Sequence, residues 1–266
     1  GLSEVWENLM LSRLEGIKVL SIDDLANRCH NTDLLVDHNY FAGSECNRYD
    51  GIFKKNARLC LGPKYCLVDQ VYSSLSSSTP SRKSLSNILI SLGGSGDVQL
   101  LKRILEALSS LIQSWGLRVQ LLSGPLADQG QVIENLVKDL NIECFSSLSS
   151  IAPLMISADL CIGAGGTTTW ERLCLGLPAL TFALADNQVD LSNALHKDGF
   201  IEYLGRARDF SPDKLIYNLQ KFYDCPERLV SMSEKGKDLV DGFGCERVAR
   251  LMLLEKNNKK IFSPSL

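Results

Sequence analysis

The fold is decided by one stretch of the sequence, Leu160-Cys-Ile-Gly-Ala-Gly-Gly-Thr-Thr-Thr-Trp-Glu-Arg-Leu-Cys-Leu-Gly-Leu-Pro178. It opens with an apolar run that ends at Ile162 and is short enough to form a buried strand. Three glycines then make a turn in which the backbone can approach a ligand closely. A helix from Trp170 to Leu175 is expected to follow and to stop at Gly176, with Pro178 just beyond it.

The predicted start of this helix carries the signals of an anion site. Thr167 to Thr169 offer oxygens that can cap the helix, and Thr168 with Glu171 matches the capping-box spacing. Free N–H groups and the helix dipole converge on such a turn and favour a phosphate there. The glycine spacing matches neither the dinucleotide fingerprint nor the P-loop. The local pattern therefore fits a phosphate site and a ligand-free capped turn equally well.

The surrounding segments alternate between strand and helix. After Ser86 the sequence predicts about six strands, the first of which begins at Asn87 and runs into a glycine turn. The helix after that turn, Val98 to Ile112, places four apolar side chains on one face. They are Leu101, Ile104, Leu105 and Leu108. This alternation predicts a doubly wound, Rossmann-like unit with a parallel sheet.

The part of the chain before Ser86 predicts only about three strands. We therefore expect an α/β fold with two Rossmann-like doubly wound domains, of which the first is incomplete. The predicted boundaries are a first domain over 1–78, a second over 79–256 and a polar tail over 257–266. The serine-rich stretch 73–86 has the composition of a linker between the two domains.

Polar residues follow two predicted strands of the first part, where parallel α/β sheets present their ligand edge. These candidates are Asp23, Asp24, Asp37, His38 and Asn39. Capping and turn formation are the alternative roles, and they are favoured for Asp24 in particular. His38 is the one histidine at a predicted strand end, and a histidine in a turn is its simpler interpretation.

Three predicted strands of the second part end at what should be the same edge of the sheet. The loops that follow them are Gly93–Gly96, Gly163–Thr168 and Asp186–Gln188. The first two offer glycine-rich backbone to a diphosphate. Glu171 is placed to accept two hydrogen bonds from a ribose diol, or else to complete the capping box. Asn187 and Gln188 offer amide donors to phosphate or sugar, although Asn187 equally fits the N-cap of the next helix.

Composition excludes several classes of function. The 266 residues carry a formal net charge of −3 and no dense basic block, which argues against binding to nucleic acid. No apolar run approaches bilayer length, so we expect no membrane association. The nine cysteines contain no C-x-x-C pair and indicate a reduced, cytoplasmic protein without a zinc site. We expect no metal, no cofactor and a monomer, and no sequence motif matches a nucleophile elbow.

Together these motifs make the chain resemble the UDP-sugar hydrolases of the pseudaminic acid pathway, from about Ile17 to Arg250. That family has the GT-B fold of two Rossmann-like domains and is similar to the peptidoglycan N-acetylglucosaminyltransferase. The stretches that carry the resemblance are Leu92-Gly-Gly-Ser95, Gly163 to Pro178, Ala185-Asp-Asn-Gln188, Ser21-Ile-Asp-Asp24, Asp33-Leu-Leu-Val-Asp37 and Leu61-Gly-Pro-Lys-Tyr-Cys-Leu67.

The resemblance implies hydrolysis of UDP-2,4-diacetamido-2,4,6-trideoxy-β-L-altropyranose by attack of water at C1, with inversion and without a metal. It also implies a role for each candidate residue. Glu171 would bind the ribose, Asn187 and Gln188 would reach the phosphate–sugar end, and Tyr65 would border the sugar. The diphosphate would be held by Gly93, Gly94, Ser95, Gly165, Gly166, Thr167 and Thr168.

The chain departs from the family pattern in two places. The catalytic histidine of the family sits in a Gly-x-Gly-His loop after the first strand, and this sequence contains no such loop. We expect that loop to precede Gly1, and we name no catalytic base. The family often continues Tyr-Ala-Leu-Leu-Arg where this chain reads Tyr65-Cys-Leu-Val-Asp69. The alternative functions are a GT-B glycosyltransferase that uses a UDP-sugar donor, and a module that binds UDP without turnover.

Overall fold

A computed structural model describes residues 4–44, 46–52, 57–93, 97–123, 130–146 and 148–257 of the chain. Its strands are β1 (Leu20–Ile22), β2 (Leu34–Asp37), β3 (Arg58–Leu61), β4 (Asn87–Ser91), β5 (Arg118–Leu122), β6 (Glu143–Phe145), β7 (Leu160–Ala164), β8 (Ala179–Ala183) and β9 (Glu202–Arg206). Its α-helices are α1 (Glu4–Arg13), α2 (Gln70–Ser76), α3 (Val98–Trp115), α4 (Gly130–Asp139), α5 (Ala152–Ser157), α6 (Thr168–Cys174), α7 (Val189–Lys197), α8 (Pro212–Asp224), α9 (Glu227–Leu239) and α10 (Gly244–Asn257).

The chain divides into two compact units, and each has its own parallel sheet. The first unit comprises Gly1–Gln70 together with Asp241–Leu266, and the second is Val71–Val240. The sheet of the first unit has the order β1-β2-β3. Its core contains Leu34, Val36, Cys60 and, from α10, Val248. The three predicted strands of this part are thus confirmed.

The second unit contains a six-stranded sheet in the order β6-β5-β4-β7-β8-β9, with every neighbouring pair parallel. Every residue of β7 and β8 is buried, as expected for central strands with helices on both faces. The six strands predicted after Ser86 are therefore all present. Alternating βα units on a fully parallel sheet confirm the predicted doubly wound fold.

Helix α3 forms as its sequence pattern predicts. The carboxylate of Asp97 accepts a hydrogen bond from the backbone N–H of Leu100 and caps the first turn (2.9 Å). The helix ends at Gly116, which adopts a left-handed conformation that glycine tolerates best. The four apolar residues predicted to share one face are all buried in the core of the second unit.

The predicted linker is not a solvated linker. Part of the stretch 73–86 belongs to α2, and Arg82 is 2 % exposed. The Arg82 guanidinium donates to backbone carbonyls at the ends of α5 and α6, among them those of Met155 (3.1 Å) and Gly176 (2.9 Å). Burial lowers the pKa of Arg82 to about 10, so the group stays charged at neutral pH. These bonds make the segment part of the second unit, in spite of its composition.

The last helix belongs to the first unit, whereas we predicted that the second domain runs to residue 256. The N-terminus of α10 lies against the backbone of Cys66, where a side chain on Gly244 would collide. The Cys245 thiol donates to the carbonyl of Val68 (3.3 Å), and Arg247 donates to that of Lys64 (2.9 Å). Close backbone approach, which glycine permits, therefore places this helix in the first unit. The predicted tail at 257–266 lies outside the described residues, except for Asn257.

Candidate functional site

The strand order of the second unit creates a crevice between two neighbouring strands. From β4 the sheet grows outward through β5 to β6, and from β7 it grows the other way through β8 to β9. Such a reversal of strand order opens a crevice at the carboxyl ends of the two central strands, where open α/β sheets bind ligands. The loops that follow β4, β7 and β8 leave the sheet at this edge. They are the three loops predicted from the sequence.

The glycine turn after β7 is held tightly on its inner side. The backbone N–H of Gly165 donates to the carbonyl of Phe182 in β8 (2.9 Å). A Cβ on Gly165 would lie 2.6 Å from the Ser192 hydroxyl oxygen of α7, so a larger residue would require that hydroxyl to move. Gly166 is half-buried and Thr167 is exposed. The outer side of the turn is therefore accessible to a ligand.

The predicted capping box is absent. Thr167 precedes α6 in helical conformation, and no side-chain oxygen caps the helix. The Thr168 hydroxyl instead accepts a hydrogen bond from the guanidinium of Arg172, one turn further along (3.2 Å). Glu171 is half-buried and is not the capping partner of Thr168. The ribose contact of Glu171 stays a prediction.

The predicted end of α6 is confirmed. Gly176 has a positive φ of 57°, and its N–H donates to the carbonyl of Leu173 (3.0 Å). The N–H of Leu177 donates to the carbonyl of Arg172 (2.8 Å). This pair of bonds is a Schellman motif, and it fixes the length of the helix that carries Glu171.

Arg172 is a buried cation that the sequence analysis did not single out. Its side chain is fully buried. One terminal nitrogen donates to the carbonyl of Ala164 and to the Thr169 hydroxyl, each at 2.9 Å. A Cβ on Gly163 would lie 2.9 Å from the other terminal nitrogen and 2.9 Å from the Ser91 carbonyl oxygen. Gly163 thus makes room for the guanidinium, and the Arg172 charge lies at the end of the β4–β7 pair.

The loop after β8 places Gln188 beside the glycine turn. Its side-chain oxygen accepts from the backbone N–H of Leu184 (2.9 Å), and its amide nitrogen lies 3.7 Å from the position of a Cβ on Gly166. Asn187 is exposed. Its alternative role as an N-cap is wrong, because α7 begins after Gln188 without any side-chain cap. Asp186 forms an ion pair with Arg206.

The loop after β4 begins with Gly93. This residue is half-buried, and its φ of 83° lies in the region that favours glycine. It stands two residues beyond the end of β4, which puts it at the same edge of the sheet as the glycine turn. Gly94 and Ser95, the other two residues predicted in this loop, lie outside the described residues.

Two of the polar candidates of the first unit, Asp23 and Asp37, belong to a buried network that joins the ends of β1 and β2. The Tyr49 hydroxyl lies 3.1 Å from one oxygen of Asp23 and 2.9 Å from one of Asp37. His30 Nδ1 lies 2.9 Å from Glu7 Oε1, and His30 Nε2 lies 3.6 Å from Asp23. The sequence indicated the two aspartates by their position after strands. It gave no signal for Glu7 or Tyr49, which come from distant segments.

The environment of this network favours ionised carboxylates. Burial by itself would raise the pKa of Asp23, but hydrogen bonds from the Ala26 N–H and the Tyr49 hydroxyl, with the nearby Arg28 charge, lower it overall. The pKa of Glu7 is likewise lowered, because hydrogen bonds from His30 and other donors outweigh burial. Burial and the two aspartates raise the pKa of the Tyr49 hydroxyl, which therefore remains a donor.

The other candidates of the first unit have the turn roles that the sequence allowed. The Asp24 carbonyl accepts from the Asn39 amide (3.1 Å), and the N–H of Asn39 donates to Asp37 Oδ1 (2.9 Å). Burial lowers the pKa of His38, so its imidazole is neutral at physiological pH. Tyr65 lies in a 3₁₀ turn and packs against the core of this unit. Its contact with a sugar stays a prediction.

Within the described part of the chain, no group of His, Cys, Asp and Glu could hold a metal ion. Nor is any described helix long and apolar enough to cross a membrane. The eight cysteines whose side chains are described form no disulfide with one another; half are buried and half exposed.

Comparison with known proteins gives related sequences and folds. The chain is 25% identical over 198 residues to the spore coat polysaccharide biosynthesis protein SpsG of Bacillus subtilis, and it spans only 58% of that protein's length. MurG of Acinetobacter baumannii has a similar structure, with a TM-score of 0.59 and 19% identity over 86% of this chain and 67% of MurG. MnaA of Staphylococcus aureus, solved with UDP, has a TM-score of 0.55 and 15% identity, covering 82% of this chain and 59% of MnaA.

These likenesses, with the two parallel sheets, show that the fold is of the Rossmann-like GT-B type that the sequence predicted. Residues 88–242, more than half of the chain, match the model of the glycosyltransferase family 28 C-terminal domain. The matched range includes β4, β7, β8 and the crevice at their carboxyl ends. The chain therefore belongs to the glycosyltransferase family 28 C-terminal domain family.

Proposed function

We propose that the second unit binds a UDP-sugar in the crevice at the ends of β4, β7 and β8. One observation carries this proposal: the glycine turn lies where the strand order reverses. Open α/β sheets bind ligands at that place. The exposed outer side of Gly166 and Thr167 leaves backbone N–H groups within reach of a diphosphate. The structure of MnaA with UDP supports the choice of nucleotide.

Different residues of the crevice would bind different parts of the UDP-sugar. Glu171, on the first turn of α6, would accept from the two ribose hydroxyls. Gln188 and Asn187, in the neighbouring loop, would reach the phosphate–sugar end. Gly93, Gly94 and Ser95, which follow β4 in the sequence, would hold the diphosphate together with the turn at Gly165–Thr168. Tyr65, in the first unit, would border the sugar.

For the complete protein we propose hydrolysis of a UDP-linked diacetamido-trideoxy sugar in pseudaminic acid biosynthesis. Water would attack C1, the bond between C1 and the diphosphate oxygen would break, and UDP would leave with inversion at C1. A base would take the proton of the water, and we assign no residue of this chain to that step. The support is the resemblance in the stretch Gly163–Pro178, together with the likeness to a polysaccharide biosynthesis protein.

The alternative reaction is transfer of the sugar to an acceptor other than water. The family description, which names glycosyltransferases, favours this alternative. Both reactions use the same UDP site and differ only in the nucleophile that reaches C1. A third possibility, in which the chain binds UDP without turnover, predicts binding alone.

Two measurements test the proposal in sequence. Calorimetric titration of the 266-residue chain should show binding of UDP and weaker binding of ADP, and failure to bind UDP would refute the site. The full-length protein is then incubated with the UDP-diacetamido sugar in ¹⁸O-labelled water. Hydrolysis at C1 places ¹⁸O in the free sugar and none in UDP. Release of UDP only on addition of a carbohydrate or lipid acceptor would instead establish a transferase.

A further inference from the structure

Arg172 carries a positive charge that the described part of the second unit leaves without a carboxylate. No aspartate or glutamate oxygen among the described residues lies within 4 Å of its guanidinium nitrogens. Its hydrogen-bond partners are a backbone carbonyl, the hydroxyls of Thr168 and Thr169, and the Cys161 thiol, whose pKa is raised by burial. All of these groups are neutral. A buried charge normally has an ionic partner, because desolvation without one costs several kcal/mol. Arg82 likewise has no described carboxylate within 4 Å, but its Nε donates to the Gly176 carbonyl, whereas the Nε of Arg172 has no acceptor among the described residues. Arg172 therefore has room for an anion that Arg82 lacks.

The position of the charge indicates where that anion lies. Residues Ser91 and Gly163 are partners in the register of β4 and β7, at the carboxyl end of that pair. A Cβ added to Gly163 would lie 2.9 Å from the guanidinium and 2.9 Å from the Ser91 carbonyl oxygen, so the guanidinium lies close to this end of the strand pair. Its bonds to Ala164 and to Thr168 hold the two ends of the Gly165–Thr167 turn. The charge thus lies behind the turn, at its base.

A second buried polar group at the same turn also lacks a partner. The Ser192 hydroxyl is buried, makes no hydrogen bond in the described structure, and is directed at Gly165. The Nε of Arg172 is likewise buried without an acceptor among the described residues. Unsatisfied buried donors of this kind are uncommon in native proteins and need an explanation. The Ser192 hydroxyl beside Gly165 and the Nε of Arg172 are therefore two donors that a bound anion could satisfy directly or through water.

We propose that Arg172 is a positioning residue that fixes the glycine turn and whose buried charge selects a diphosphate over a neutral or singly phosphorylated nucleoside. This inference rests on the proposed UDP site. Arginine suits the role because it remains charged even when it is buried, whereas a buried lysine tends to lose its proton. The charge acts through the low-dielectric protein interior and is screened little by salt.

The test compares three ligands of increasing charge, uridine, UMP and UDP, on variants of the 266-residue chain. Arg172→Met keeps the length of the buried side chain and removes its charge, a replacement that folded proteins often tolerate. We expect UDP affinity to fall about tenfold or more, UMP affinity to fall less, and uridine affinity to change less than about twofold. Where this variant does not fold, Arg172→Gln gives the same comparison.

Arg82→Met is the matched control. Arg82 is the other fully buried arginine among the described residues of the second unit, and it binds carbonyls at the far end of α6. Its replacement should lower stability and leave the ratio of UDP to uridine affinity unchanged. Equal losses for UDP and uridine in Arg172→Met, or the same change of ratio in both variants, would overturn the inference while the UDP site stands. Failure of the unaltered chain to bind UDP would overturn the site itself.

Discussion

Replacement of Gly176 by alanine tests whether close packing at the end of α6 contributes to the free energy of unfolding in addition to backbone conformation. Gly176 has a φ of 57°, and its Cβ would lie 2.5 Å from Ser233 Oγ and 2.9 Å from the Ser233 carbonyl oxygen. The hydroxyl can rotate away, but the carbonyl belongs to α9 and is fixed by that helix. Gly116 has nearly the same conformation, with a φ of 65°, and a Cβ added there would meet no described atom within 4 Å. It is therefore the matched control.

The two variants separate the conformational cost from the packing cost. A non-glycine residue in the left-handed region costs roughly 1–2 kcal/mol, and Gly116→Ala should lose that much. Gly176→Ala carries the same conformational cost and, in addition, forces α6 and α9 apart. Overpacking of this kind typically costs about 1–3 kcal/mol. We therefore expect Gly176→Ala to lower the free energy of unfolding by about 2–5 kcal/mol.

Urea unfolding followed by tryptophan fluorescence measures this difference. Trp170 is 2 % exposed on α6, so its emission reports on the second unit. A Trp6→Phe background removes the signal of the first unit. Equal destabilisation by the two alanine variants, within about 0.5 kcal/mol, would refute the reasoning, since distant surface effects are usually of that size. Gly176→Ala combined with Ser233→Ala should recover little stability, because the Ser233 carbonyl oxygen (2.9 Å) and Lys237 Cε (2.7 Å) still collide with the added Cβ.

Three further predictions concern the site and the buried networks. Glu171→Ala should weaken UDP binding by about 1.5–3 kcal/mol, and 2′-deoxy-UDP binding by less, in calorimetric titrations; equal losses would contradict a ribose contact. Tyr49→Phe removes the donor shared by Asp23 and Asp37. The pKa of Asp23 is lowered in the folded state, so the stability that its carboxylate contributes is present above about pH 4 and is lost as the pH falls. The variant lowers this contribution. Its acid unfolding, followed by circular dichroism, should therefore occur at a higher pH. Arg82→Lys should cost about 1–3 kcal/mol in urea unfolding, because a lysine lacks the planar fork that reaches several carbonyls.

Short apolar runs and glycine stops made most of the second unit predictable from the sequence. Each run of the kind Asn87–Ser91 is followed by a turn and then by a segment of helical periodicity, and this order alone dictates a parallel sheet. Residues such as Asp97 and Gly116 mark helix ends by local chemistry, so their positions do not depend on the rest of the fold. The position of the crevice then follows from strand order, which depends on the number of units and their handedness.

Features that depend on contacts between distant segments were not predictable. The stretch 73–86 has a linker's composition, yet Arg82 inserts among carbonyls that lie more than 70 residues away. The location of α10 depends on contacts with a segment far away in sequence, among them the close approach between Gly244 and Cys66. The capping box failed for a local reason instead, because Arg172, one turn along the same helix, donates to the Thr168 hydroxyl. The network around Tyr49 joins segments that no periodicity connects.

The glycines at positions 163, 165 and 166 have different roles, although they look alike in the sequence. Gly163 leaves room for the Arg172 guanidinium, and Gly165 leaves room for the Ser192 hydroxyl. Both therefore serve the packing behind the turn. At Gly166 a Cβ would meet nothing described closer than the Gln188 amide at 3.7 Å, so this position is open on the ligand side. An alanine at Gly166 would thus probe the ligand, whereas an alanine at Gly163 would probe the charge beneath it.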